Sequence, residues 1–268
     1  MEKSNYKLKA MFIVAIIILI LFAFYGGMQF GKSNSNNSNF NNSNSSISTS
    51  DSSNVEEPTS LTPSSDTIIN LMNNKAVLLN RQQASTLFGV LYKSKGILAK
   101  DLSNEYKVSA GLLQLEDDSS TKDSTVSVEQ FKKYMIEVFG SNVSYTDEDV
   151  KHPCGPHGYD ATIKAYTVQD YGCGGTMLPG YSTSVISVKE LDDSIEVTEK
   201  AILITPYLDG DKFYSKVTKP YSGEVIVDKI DGGQKVGVSN YLDKADTYIY
   251  TFKKDTDGHY YFYSIALQ

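Results

Sequence analysis

Helical periodicity followed by strand alternation, with no interleaving of the two, places residues 66–268 in the α+β class. Three observations predict this. Apolar residues recur every three to four positions between 66 and 139, they alternate with polar ones after Tyr145, and the alternating half is punctuated by Asp-Gly pairs that suit tight hairpin turns. Ahead of this segment stand an apolar run and a Ser/Asn-rich tract. The whole chain is therefore expected to comprise an N-terminal transmembrane helix, a disordered linker, and helices followed by a curved antiparallel sheet.

Asp66 is placed to cap a first helix in which Ile68, Met72, Ala76 and Leu79 share one face. Leu87, Val90 and Leu91 prolong the apolar pattern, so this helix is expected to reach Lys95 with a break between Arg81 and Ser85. A second helix over 101–115 turns Leu102, Tyr106, Leu112 and Leu115 inward, although Gly111 is a poor helix former in its middle. The third has the fullest local signals. Ser127 and Gln130 stand at capping-box spacing, Val128, Phe131, Met135, Val138 and Phe139 recur at helical intervals, and Gly140 supplies the stop.

The expected strands are 159–168, 182–189, 195–204, 212–217, 224–229, 234–238, 247–253 and 260–267. Turns fall at Asp192-Asp193, Asp209-Gly210, Asp231-Gly232 and Asp257-Gly258. The last hairpin is the clearest, because Tyr248, Tyr250 and Phe252 alternate on one arm and Tyr261, Tyr263 and Ile265 on the other.

Residues 11–30 contain no charged side chain, and about 20 residues of helix span roughly 30 Å, the thickness of a bilayer's hydrocarbon core. Lys3, Lys7 and Lys9 precede this run and only Lys32 follows it closely, so residues 1–10 are expected in the cytoplasm and everything after the anchor outside. No A-x-A-like cleavage site and no lipidation cysteine follow, which favours a retained anchor over a cleaved signal peptide. Residues 31–65, mostly Ser and Asn, bury too little apolar area to offset their ordering entropy and read as a flexible tether. The expected product is a single-pass cell-membrane protein whose extracytoplasmic domain is 66–268.

A formal net charge of −7 disfavours nucleic acid and anionic surfaces as partners. The membrane, through the N-terminal helix, and a protein, peptide or small-molecule ligand in the envelope remain. No motif implies a cofactor. Both cysteines and two of the three histidines sit in His152-Pro-Cys154-Gly-Pro-His157 and Gly172-Cys173-Gly-Gly175. Two cysteines on the exported side of a membrane predict one disulfide, Cys154 to Cys173, and closing a loop of about 20 residues contributes roughly 3 kcal/mol on the chain-entropy model. A zinc site of His152, Cys154, His157 and Cys173 is the rival reading, since two sulfurs and two imidazoles suit tetrahedral geometry. A catalytic cysteine is the third. Sortases are anchored, exported cysteine enzymes, but their Thr-Cys strand end and later arginine are missing, and Arg81, the only arginine, lies upstream.

Other motifs are incomplete. Ser119-Ser-Thr-Lys122 fits S-x-x-K, yet no K-T-G follows it; Asp255-Thr-Asp257-Gly258 lacks the terminal glutamate of a calcium loop, with Ala266 in its place. The acidic run Asp147-Glu148-Asp149 and the pair Asp192-Asp193 read as solvated turns rather than paired catalytic carboxylates.

Three stretches together, Val138-Phe-Gly-Ser-Asn-Val-Ser-Tyr145, the segment from Tyr159 to Gly172-Cys-Gly-Gly175, and Tyr250-Thr-Phe-Lys-Lys-Asp-Thr-Asp-Gly-His-Tyr-Tyr-Phe262, resemble a group of anchored, exported bacterial proteins. The order of helices and then curved sheet is similar to NTF2-like domains. That resemblance implies a cone-shaped α+β fold around a pocket, in a family holding both ketosteroid-isomerase-like enzymes and binding modules. No catalytic residue carries over, because no isomerase-type Tyr and Asp pair matches by motif. The expected function is a non-catalytic binding or interaction module of the cell envelope, with an NTF2-like or metal-dependent enzyme using His152 or His157 as the alternative.

Intact-mass and thiol analysis of the chain purified without reductant is expected to show two hydrogens missing, no free thiol and no bound zinc. Free thiols with one metal ion per chain would favour the rival site.

Overall fold

Short polar caps cut the first half of the domain into four helices, and the second half folds back over them as a curved, antiparallel sheet. The structure, a computed structural model, describes residues 61–82, 89–118, 125–152, 155–167 and 179–268. The expected anchor and most of the linker lie outside the described residues. No helix among the described residues is long and apolar enough to cross a membrane.

Helices α1 (Asp66–Met72) and α2 (Lys75–Gln82) occupy the start of the helix expected to reach Lys95, and the break expected at Arg81 to Ser85 lies mostly outside the described residues. An unexpected break falls at Asn73-Asn74, because Asn74 competes with helical pairing: its Oδ1 accepts from the Ala76 N–H at 3.0 Å and its Nδ2 donates to the Val138 carbonyl at 3.0 Å. Val90 and Leu91 belong to no helix. They sit in a turn that opens at Gly89, where a φ of +78° lets the backbone pass under the Tyr181 hydroxyl.

Helix α3 (Asn104–Glu116) starts at the Ser103 cap, whose side chain accepts from the Tyr106 N–H at 3.2 Å. Lys107 on this helix is buried, and its ammonium donates to the carbonyls of Lys100 at 2.8 Å and Ser144 at 3.1 Å. Helix α4 (Val128–Phe139) has the predicted capping box, with reciprocal Ser127 and Gln130 bonds of 3.2 Å, and ends at Gly140. Gly111 has a packing role that propensity alone hides. A Cβ there would lie 2.4 Å from the Met135 sulfur and 2.8 Å from Cζ of Phe131, so glycine is what lets α3 and α4 approach.

The larger sheet contains β1 (Gly96–Leu98), β6 (Gly180–Glu190), β7 (Ser194–Asp209), β8 (Lys212–Thr218), β9 (Val225–Asp231), β10 (Asp246–Lys254) and β11 (Tyr260–Leu267). Strand β7 organises it. One edge carries β6; the other carries β10 along its first half and β8 along its second, because Leu203 and Ile204 pair with β6 and β8 at once. The smaller sheet, in the order β2-β5-β4-β3, uses β2 (Thr125–Ser127), β3 (Val150–His152), β4 (Gly155–Asp160) and β5 (Ala165–Thr167). The expected strand 159–168 is thus part of a hairpin, turned at Lys164 with φ +50°. The expected strand 234–238 is irregular chain leading into one turn of 3-10 helix, Val238–Asn240. Strands β1, β2 and β3 have three residues each, too few to carry a period-two signal.

In the β10–β11 hairpin Tyr248, Tyr250 and Phe252 are buried as their alternation predicts. On β11 an extra residue, Tyr263, bulges out between the Thr251–Ser264 and Phe252–Phe262 pairs. The bulge resets the phase, so Phe262 and Ile265 face the core and Tyr261 does not. Bulges also blunt the edges: β6 carries an extra Ile186 and β9 two extra residues, while β1 is only three residues long.

The main core lies between the helices and the β7, β10 and β11 surface. A smaller one, Ile202, Val217, Ile230, Val238 and Ala245, fills the underside of β7–β9. Beyond it the β7–β8 hairpin ends in an exposed cross-strand pair, Leu208 and Phe213.

Substituting Gly111→Val is expected to cost about 1–3 kcal/mol by overpacking the α3–α4 contact, measured as a lowered unfolding midpoint. An unchanged midpoint would contradict the close approach.

Candidate functional site

Strand β7 alternates so that Ile195, Val197, Glu199 and Ala201 all turn inward, and all four are buried. One of them is a carboxylate. Glu199 is 0% exposed, the only buried acidic side chain among the described residues. Its Oε1 is bridged by the Arg81 guanidinium at the end of α2, and its Oε2 accepts a 2.7 Å bond from the Tyr92 hydroxyl. Arg81 also donates from Nη1 to the Met72 carbonyl at 3.2 Å, and Tyr248, beside Glu199 in the sheet, donates to the Tyr92 carbonyl at 2.7 Å. The ring of Tyr92 packs at 4.7 Å against Tyr248 and at 4.8 Å against Tyr181.

The electrostatics make this centre a closed one. Burial, and then the negative charge of Glu199, push the Tyr92 and Tyr250 hydroxyls well above the usual phenol range, so both stay neutral. Each carboxylate oxygen already has a cationic or hydroxyl donor. The carboxylate is held in place and fully enclosed, and only the Arg81 side of the pair is partly exposed. Arg81 Nε and Tyr181 Oη are buried without hydrogen-bond partners among the described residues. The centre keeps some spare hydrogen-bonding capacity.

Of the residues singled out from sequence, His152 and His157 lie on the β3–β4 hairpin, where Val150 pairs with His157 and His152 with Gly155. The backbone thus brings the two histidines to diagonal positions on neighbouring strands. Cys154 and Cys173 lie outside the described residues, and with them the expected disulfide and the four-residue metal set. Among the described residues no group of three or more His, Cys, Asp and Glu side chains converges.

A groove of about 530 Å³ opens between the α1–α2 junction, the end of α3, α4 and the tip of the β10–β11 hairpin. Polar braces hold its walls. Lys75 pairs with Asp117, Asn74 with the Val138 carbonyl, Gln114 Nε2 donates to Glu137 at 3.1 Å, and the His259 ring meets the Glu137 carbonyl at 3.1 Å. Asn70 and Asn73 on its rim are exposed. Two smaller cavities differ in character: one of about 240 Å³ is walled by Leu98, Phe139, Val143, Tyr261 and Tyr263, and one of about 270 Å³ lies beside Arg81, Ile69 and Met72.

No family model, curated protein or solved structure matches the chain. The geometry is therefore the only guide to the site. Sequence reading passed over Glu199, although the signal was there: a glutamate in the inward phase of an apolar strand, in a chain with a single arginine.

Partly buried tyrosines give the fold an alkaline limit. Burial raises Tyr181 to about 12, and Tyr145 likewise with help from Asp147, against about 10 in an unfolded chain. Between those values the native state binds more protons than the unfolded one. The stability held by these phenols is therefore complete below pH 10 and lost as pH rises towards 12. Tyr181→Phe, which removes a hydroxyl lacking a partner, is expected to leave stability at pH 7 unchanged or raised and to flatten the alkaline loss. An unaltered slope in equilibrium unfolding would contradict it.

Proposed function

We propose that residues 66–268 form the extracytoplasmic domain of a membrane-anchored envelope protein that works by binding a ligand, with an NTF2-like order of elements. The observation that carries this reading is the sealed state of Glu199. In an NTF2-like enzyme the inner face of the sheet would hold acid and base groups open to a pocket; here Tyr92, Tyr248, Tyr250, Phe252 and Phe262 fill that face, and its carboxylate is neutralised by Arg81. The groove on the helical side is different. It is solvent-facing, its volume falls within the usual range of small-molecule sites, roughly 300–1,000 Å³, and its walls are pre-braced. These features favour recognition over turnover.

A compound that binds the full chain at 100 times its Kd is expected to add about 2.7 kcal/mol of stability and to be recovered chemically unchanged after prolonged incubation. A protease added outside intact cells is expected to cut within 31–65 and release the domain. Conversion of the bound compound contradicts the binding reading; protection of the domain contradicts its placement.

A further inference from the structure

We infer that the groove between the α1–α2 junction, α3, α4 and the β10–β11 hairpin binds a neutral oligosaccharide. The inference rests on the binding reading above and names the ligand class of that same site. Its basis is the hydrogen-bonding inventory of the lining. Lys75, the groove's one lysine, pairs with Asp117, and Glu137 accepts from the neutral amide of Gln114. What remains on the rim are the exposed amides of Asn70 and Asn73 and the hydroxyl of Thr67, none with a side-chain partner among the described residues.

An amide presents a donor pair and an acceptor on one planar group. The ligand that matches such a surface is one whose polar atoms also donate and accept at once, which is the property of sugar hydroxyls. The partly exposed ring of Tyr260 supplies an apolar face within the same groove, suited to the C–H face of a sugar ring. An anionic ligand would meet Asp117, Glu137 and a chain of net charge −7. An apolar ligand would leave Asn70 and Asn73 desolvated and unpaired.

Rigidity points the same way. Four separate elements are tied across the groove by the Lys75–Asp117, Asn74–Val138, Gln114–Glu137 and His259–Glu137 contacts, so little ordering remains to be done when a shallow, polar ligand arrives. Asn73 closes α1, and Asn70 lies one turn before it on the same helix. Both amides are thus presented from a fixed backbone.

The test uses the full 268-residue chain in a zwitterionic detergent without sugar headgroups, titrated calorimetrically with maltotriose and with triacetylchitotriose. At least one is expected to bind, and Asn70→Ala combined with Asn73→Ala is expected to weaken it about ten-fold or more, because two hydrogen bonds are lost, with no change in the unfolding midpoint. Gln114→Ala is expected to weaken binding as well, by loosening the Glu137 wall. Saccharide binding that survives the double substitution overturns the groove as the site. If neither sugar binds while a neutral peptide does, and the double substitution abolishes it, the ligand class is wrong and the binding reading stands. If neither class binds, both are overturned.

Discussion

A carboxylate at an inward position of a central strand is tolerated only if its charge is answered, because leaving it buried and unpaired costs several kcal/mol. Glu199 sets that condition here, and much of the domain is arranged to meet it. Arg81 reaches one carboxylate oxygen from the last described turn of α2, and Tyr92, three residues after Gly89, reaches the other oxygen. Tyr248 then fixes the Tyr92 backbone from β10, and the two rings lie in contact. Helix end, turn and two neighbouring strands are thus joined through one side chain.

The consequence for function is spatial. With the inner face of β7 and β10 occupied by this ion pair and by large aromatic side chains, the binding proposed above is assigned to the outside of the helical layer. There the α1–α2 junction at Asn74, itself created by a side chain that interrupts the helix, opens a groove against α4 and the β10–β11 hairpin. The bulged or very short edge strands disfavour edge-to-edge pairing with other chains.

The α+β class, the capping box at Ser127 and Gln130, and the hairpin of β10 with β11 were legible because each rests on local periodicity or a local cap. The break at Asn74 was not: periodicity runs straight through it, and only the Val138 carbonyl, 64 residues on, decides it. The bulge at Tyr263 escaped for a related reason, since strict alternation cannot announce the residue that breaks it. Gly111 looked like a weakness in α3 until the proximity of Phe131 and Met135 gave it a purpose. The groove joins side chains from Thr67 to Tyr260, so no window of sequence contains it. Glu199 and Arg81 stand 118 residues apart, and what was readable was only that each is odd in its setting.

The most direct measurement is a double-mutant cycle on the full chain, comparing unfolding free energies of Arg81→Met, Glu199→Met and the pair. A sealed ion pair predicts that Glu199 left alone in Arg81→Met costs about 3–5 kcal/mol, and that removing both partners costs much less than the sum of the single losses. Additive losses, or a Glu199→Met variant that folds with wild-type stability but loses ligand binding or an activity, would show instead that Glu199 is a working group facing a ligand.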